Sequence, residues 1–487
     1  MHSFVSRPIA LGLFVALSMV SSAAYAEAPV IVLGDTPEQE LGGSVEFALD
    51  SSGANSFSDA WSDSSPISFA PSDKDVINLG FSDAVIWIRF ALENRSAVAS
   101  ERLFSVGYPL LDKVDIEVVQ DGTRSQFAFG DLKPFAERDF YHRNFIIPIV
   151  FQPGERVEFR MRVHSESSLR IPLTVWEPDA FYKHDGFEML LNGLYYGLML
   201  VMALYNAFVY FSIRERSYLI YVCFVISAAI AQLAMSGLSY QFLWPSSPWW
   251  GGVSVVLFLA LGTLFSGWFA LEFLQLRSSF RKVSNALLTI MALSSVVAVC
   301  AFILPYNMLV KFQVLLILSA VPFCIAGGIL SWRAGSAEAR IYSIAWFSFL
   351  GGATLLALTF RGVLPPNALT TRGHQVGAAM LVVLLSLALA RKLKSLQEES
   401  ESLANELFGK SEELSVALER AKSADQLKGE ILANLSHELR TPLARIDMAI
   451  DFVEQDINRE QALSRLRYEA STMRELVEDT LTFAWLN

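Results

Sequence analysis

The chain has 487 residues, 53% hydrophobic and 18% charged, with a net charge of −11 and a mean hydropathy of +0.39. A positive mean hydropathy at this length rules out intrinsic disorder and is foreign to ordinary soluble enzymes. The acidic balance, with no basic run longer than a few residues, argues against a nucleic-acid binder, whose surface needs clustered Lys and Arg. Apolar residues concentrate between about 187 and 393, with polar, strand-like sequence before and a charged helical tail after. That is the pattern of a membrane protein with folded parts on both sides. Cys223, Cys300 and Cys324 each fall in an apolar run without a CxxC or His-rich neighbour, so neither a disulfide framework nor a zinc site is expected.

His2 and Arg7 precede an apolar stretch over 9–20, and Ala24-Tyr25-Ala26 follows. Residues 1–26 therefore read as a secretory signal peptide. The stretch is shorter than the ~20 residues a membrane span requires. Over 27–183 short alternating runs are bounded by Gly, Pro, Asp and Asn. In one of them Val157, Phe159, Met161 and Val163 face one way and Glu158, Arg160 and Arg162 the other, because side chains alternate along a strand. Many such runs predict an all-β, jelly-roll-like sandwich able to bury its own core at about 150 residues. Trp61, Trp87 and Trp176 could stack on a sugar face, although tryptophan at strand spacing is more often core. His142 and His164 have no partner at metal-ligand spacing, and no metal site is expected.

Ile86-Trp87-Ile88-Arg89-Phe90, Glu93-Asn94-Arg95-Ser96, Tyr108-Pro109-Leu110-Leu111-Asp112, Gly130-Asp131-Leu132-Lys133-Pro134-Phe135, His142-Arg143-Asn144-Phe145 and Ser165-Glu166-Ser167-Ser168-Leu169-Arg170 resemble a known periplasmic sensor domain. It is the type 2 extracellular domain of seven-transmembrane receptors with diverse intracellular signalling modules. The resemblance implies a likeness to carbohydrate-binding jelly rolls and a periplasmic small-molecule or carbohydrate ligand.

Seven apolar runs follow, at about 187–211, 218–237, 251–274, 283–304, 309–331, 340–360 and 376–390, within a membrane domain spanning 187–391. Arg214, Arg216, Arg277, Arg281, Lys282, Arg333, Arg340, Arg391, Lys392 and Lys394 cluster at alternate ends. The other loops carry almost no Lys or Arg, with Arg372 alone in the last. The positive-inside rule then places the N-terminal domain outside and the C-terminus in the cytoplasm, and the resemblance implies that the membrane is a bacterial inner membrane with the N-terminal domain in the periplasm. Transport, the rival function, needs ionisable residues within the spans, whereas Glu188, Glu272 and Lys311 lie near span ends where they can snorkel. Asn192-Gly193-Leu194-Tyr195-Tyr196-Gly197, Tyr218-Leu219-Ile220-Tyr221 and Leu243-Trp244-Pro245 resemble the membrane domain of the same receptors. Members often carry an acidic residue a few positions after the glycine of the last span, and 378–390 has none.

Over 392–426 Leu393, Ser400, Leu407, Leu414 and Ala421 recur every seven residues, as do Leu396, Leu403, Lys410, Ala417 and Ala424, which predicts a coiled coil with an imperfect seam. Beyond it Ile431, Leu435, Leu439, Ile446 and Ile450 share a helical stripe that leaves His437 exposed or at its edge. A second helix over 461–484 repeats Leu463, Ala470 and Val477 beside Leu466, Met473 and Thr480. Two such helices cannot bury both stripes alone, so 427–487 is expected to form a homodimeric four-helix bundle.

Ser436-His437-Glu438-Leu439-Arg440-Thr441-Pro442-Leu443 resembles the H-box of the HisKA-type dimerisation and phosphoacceptor domain of sensor histidine kinases. An imidazole with a pKa near 6.5 is a competent nucleophile at neutral pH. The resemblance implies that His437 is the phosphoacceptor, Glu438 the adjacent general base, and Thr441, one turn on, the residue positioning a water for dephosphorylation. It also implies ATP and Mg²⁺ bound by a separate catalytic domain and a response-regulator partner. No Asp-x-Gly-x-Gly motif or Walker loop is found before the last residue, Asn487. The expectation is the sensor half of a two-component histidine kinase, with a fragment favoured over a natural short form. The alternative is a truncated, non-catalytic receptor that modulates a partner kinase by heterodimerisation.

Overall fold

A computed structural model describes residues 28–61, 67–360, 364, 368–454 and 458–486, in two compact units divided between Lys392 and Leu393. The expected signal peptide lies outside the described residues. The first unit begins with the strands β1 (Val30–Val32), β2 (Glu38–Glu40), β3 (Glu46–Asp50), β4 (Ala70–Pro71), β5 (Ile77–Phe81), β6 (Val85–Glu93) and β7 (Ser100–Val106). They are followed by β8 (Lys113–Gln120), β9 (Thr123–Phe129), β10 (Phe145–Phe151), β11 (Arg156–His164), β12 (Ser168–Ile171) and β13 (Leu173–Trp176). One sheet runs β4-β3-β6-β11-β8-β9, with β1 parallel to the end of β6. The other runs β10-β7-β13-β2, and β12 pairs with β5.

The predicted alternation of β11 is observed: Val157, Phe159, Met161 and Val163 are fully buried between the two sheets, and Glu158, Arg160 and Arg162 turn to the opposite face. Phe159 lies directly across from Phe90 of β6, with ring centroids 4.7 Å apart, and Phe104 of β7 meets it from the second sheet at 4.9 Å. Three rings thus pin the sheets together. Trp87 faces the other way and is equally buried, beneath α1 (Phe57–Ala60), Trp61 and Phe69. Trp176 packs on Phe181, so all three tryptophans belong to packed clusters.

The helices that follow are α2 (Pro178–Ile213), α3 (Arg216–Met235), α4 (Leu238–Phe242), α5 (Pro248–Phe273), α6 (Leu276–Ser279) and α7 (Arg281–Cys300). After them come α8 (Tyr306–Arg333), α9 (Ala337–Phe360), α10 (Ala368–Glu454) and α11 (Arg459–Leu486). Seven of these, α2, α3, α5, α7, α8, α9 and α10, are long and apolar enough to cross a membrane. Two details differ from the sequence reading. The loop expected at 238–250 contains α4, and Arg372 belongs to α10, which starts eight residues before the expected span. Helical hydrogen bonding satisfies the backbone regardless of side-chain hydropathy, so a helix can start ahead of its apolar run.

One face of the last span is buried in its bundle, with Leu381, Val382, Leu385, Ala388 and Leu389 almost inaccessible, while Val376, Met380 and Leu387 are exposed. The Tyr221 hydroxyl donates to the Val382 carbonyl at 2.7 Å, Tyr218 to that of Leu389 at 3.2 Å, and the Asn206 amide to Ser386 Oγ at 2.9 Å. Glycine brings α9 and α10 together. A Cβ on Gly377 would sit 2.8 Å from the Ser348 carbonyl oxygen, and one on Gly373 2.8 Å from that of Gly352. Small residues permit this backbone contact between membrane helices.

In the second unit, the end of α10 and α11 form a hairpin with an ion pair between Arg445 and Glu469 at 3.3 Å. Ile431, Leu435, Leu439, Pro442, Ile446 and Ala449 are its inward positions on α10. Ala449 replaces the expected Ile450, which is 41% exposed. Steps of four and three residues follow the helical face through Pro442, which is accommodated inside α10. On α11, Leu466, Met473 and Thr480 are half-buried, whereas Leu463 and Val477 are exposed.

Candidate functional site

His437, Glu438 and Thr441 lie on α10, and all three are exposed. The helix places His437 and Thr441 one turn apart, and the Thr441 hydroxyl donates to the His437 carbonyl at 3.4 Å. These two residues, with Arg440, Ala444, Arg445 and Met448, line a groove of about 390 Å³. Glu438, next to His437 in sequence, lies about 100° further round the helix and outside that lining. An exposed imidazole above an open groove can receive a group from a docked partner. Arg440 and Arg445 add two cations to its lining, the second of them paired with Glu469.

A second constellation lies where the β domain meets the outer ends of the spans, within the first unit. Motifs singled out in the sequence converge there. The Phe135 amide donates to the Pro245 carbonyl at 2.9 Å, the Tyr240 hydroxyl to the Lys133 carbonyl, and the Tyr141 hydroxyl to that of Gln241 at 3.3 Å. Gly237 has φ +74°, and a Cβ there would lie 2.6 Å from Pro109 Cβ, so only glycine fits this contact. Asp112 takes hydrogen bonds from Ser165 at 3.1 Å and from the Glu166 amide at 2.8 Å, fixing the 108–112 turn above the contact. His142 meets Asp185 at 3.1 Å, so this histidine has a partner that sequence spacing could not reveal. Glu188, expected to snorkel, is instead paired with Arg372.

Asp131 lies at the same contact with its Oδ1 sealed from solvent and unpartnered. Burial, reinforced by Asp112 and opposed by Arg138, pushes its carboxyl up to about 7. Because this folded value lies above the ordinary 3.8, protonation stabilises the folded contact. The contribution is complete below about pH 4 and is lost as pH rises through about 7. Thermal unfolding of the full chain is therefore expected to shift downward over this window, and Asp131→Asn should remove that component. An identical pH slope in the variant would reject the assignment.

The outer face of the larger sheet carries the cross-strand rung Glu46, Arg89, Arg160, Glu117 and Gln126. Arg89 bonds Glu46 at 2.8 Å and covers the Phe69 ring, while Arg160 lies over Trp61. Alternation predicted only that Arg160 turns away from the core of its strand. The ordering of the rung across five strands came from the sheet topology.

Comparison with known proteins agrees with this division. Residues 42–177 match the family described as 7TMR-DISM extracellular 2, residues 188–392 the family described as 7TM diverse intracellular signalling, and residues 427–487 the His Kinase A (phospho-acceptor) domain. Along the chain, stretches that match the extracellular and seven-helix domains of the diverse-intracellular-signalling type are thus followed by one that matches a histidine phosphoacceptor domain. It is 36% identical over 125 residues to the sensor protein PfeS of Pseudomonas aeruginosa, an alignment covering 26% of this chain and 25% of that protein. Over 61 residues it is 44% identical to the circadian input-output histidine kinase CikA of Synechococcus elongatus, covering 12% of this chain and 8% of that protein. The chain therefore spans a quarter or less of the length of these relatives.

Proposed function

We propose that the chain is the receptor and phosphoacceptor portion of a two-component sensor histidine kinase of the bacterial inner membrane, with the sandwich in the periplasm and His437 in the cytoplasm. The observation that carries this reading is the exposed His437, set above its groove within the stretch that matches the phosphoacceptor family. The ring nitrogen of His437 attacks the γ-phosphoryl group of ATP. A P–N bond forms, the bond to the bridging oxygen breaks, ADP leaves, and Glu438 takes or orients the ring proton. ATP and Mg²⁺ belong to a nucleotide-binding module, and no described residue here is assigned to them. The phosphoryl group then passes to an aspartate of a response regulator, and Thr441 orients the water for the reverse, dephosphorylating activity. A small molecule or carbohydrate in the periplasm is the proposed signal.

To test this, the 487-residue chain in lipid nanodiscs is incubated with labelled ATP, Mg²⁺ and an active kinase catalytic domain. Acid-labile, alkali-stable label on the chain is expected. A folded chain that takes up no label overturns the reading.

The proposal includes a homodimer through 427–487. It is supported by Leu463 and Val477, 43% and 40% exposed along one face of α11, and by the exposed Leu396, Leu403, Leu407 and Leu414 along 392–426. Leu463→Glu is expected to lower the dimer fraction by about tenfold or more, measured by light scattering of the nanodisc-free protein in detergent. An unchanged dimer would place the interface elsewhere.

A further inference from the structure

Between the β domain and the last span runs an unbroken chain of polar contacts. Arg143, on the loop before β10, meets Asp185 of α2 at 3.0 Å and Glu188 at 3.9 Å, and His142 adds its own contact to Asp185. Glu188 in turn holds Arg372 of α10, through its Nε at 3.2 Å and a second, closer contact from Nη2. Arg372 reaches Asn192 at 3.5 Å and Gln375 at 3.1 Å, and Gln375 closes the circuit by donating to Asn192 at 3.3 Å. Two residues after Arg372, His374 meets Gln232 of α3 at 3.1 Å. The arginines and His142 are nearly inaccessible, with side chains 7–12% exposed, and Asn192 and Gln375 are buried.

The two arginines are nearly inaccessible and the carboxylates of Asp185 and Glu188 are 25% and 29% exposed. Moving one member weakens the pairing of the next, and losing a partner costs a buried charge far more than an exposed one. The chain is therefore selective in what it transmits. A displacement of the 142–143 loop is felt at Arg372 because both arginines share Glu188, although they do not touch one another. The last span has no acidic residue over 378–390 to receive a signal within its own apolar stretch. Its outermost turns carry the cation instead.

We infer that His142, Arg143, Asp185, Glu188, Arg372 and Gln375 form an ionic relay that delivers movement of the periplasmic domain to the last span. The relay specifies the regulation of the receptor proposed above and rests on that reading. Its test uses no phosphate, so its failure is distinguishable from a failure to label His437.

The full chain in nanodiscs is followed by amide hydrogen exchange, with folding of each variant verified by circular dichroism. Arg143→Ala is expected to accelerate exchange over 372–382 by about tenfold, although the ion pairs of Arg143 are with α2 and not with that helix. Arg143→Lys, which keeps the charge, should restore most of the protection. Tyr141→Phe removes a contact from the same docking surface but not from the relay, and should leave 372–382 within about twofold of the parent. In thermal unfolding, Arg143→Ala and Arg372→Ala should be non-additive because they share Glu188. Faster exchange confined to 138–145 and the start of α2, an equal effect of Tyr141→Phe, or strict additivity would each overturn the relay.

Discussion

Replacing His437 by Gln is expected to abolish phosphate incorporation into the chain, to below detection, under conditions where the parent protein is labelled by an added catalytic domain. Gln keeps the size and polarity of an exposed helical position but has no nucleophilic ring nitrogen, so α10 should stay folded while the chemistry is lost. The neighbouring positions separate the roles. Glu438→Gln removes the proposed base but keeps the proposed nucleophile, which should slow labelling by about 10²–10⁴-fold without eliminating it. Thr441→Ala should leave labelling intact and slow dephosphorylation of the regulator, because Thr441 shares the groove with His437 but carries no proton from it. Label retained in the His437→Gln protein would move the phosphoacceptor elsewhere.

Phe159→Ala is expected to cost about 3–5 kcal/mol, the range for removing a fully buried aromatic ring. Phe159 sits in the middle of β11, flanked by β6 and β8, stacked on Phe90 and touching Phe104 of the facing sheet. Its loss leaves a cavity where the two sheets meet, and neither neighbour can fill it without leaving its own strand register. Glu158→Ala, one residue away on the opposite face, should change stability by about 0.5 kcal/mol or less. Denaturant unfolding of the β domain, followed in the full chain by tryptophan fluorescence, measures both. A loss below about 1 kcal/mol for Phe159→Ala would mean that the core collapses around the gap.

The features legible in advance are those written in local periodicity. Alternation over 157–163 predicted which face of β11 is buried, and it needs only adjacent residues to do so. Seven apolar runs announced seven helices, because a run of about 20 apolar residues carries its own length and hydropathy. The octapeptide around His437 announced the match of 427–487 to the phosphoacceptor family, because that resemblance is contained in consecutive residues. Where the reading slipped, as in choosing Ile450 over Ala449, it followed the more hydrophobic residue although the helical phase favoured the other.

The amino-acid sequence by itself determined the order of the parts, the β character of the first, the number of apolar spans and the stretch that matches the phosphoacceptor family. Only the tertiary structure decided that Arg372 pairs with Glu188, 184 positions away, that Asn206 bonds Ser386 across 180, and that Asp131 is sealed at the β domain's contact with α4. The physical reason is that a charge or amide has no periodic signature. Its partner is whichever polar group packing brings within about 3 Å, and desolvation at that place, rather than residue type, sets what the pair can do.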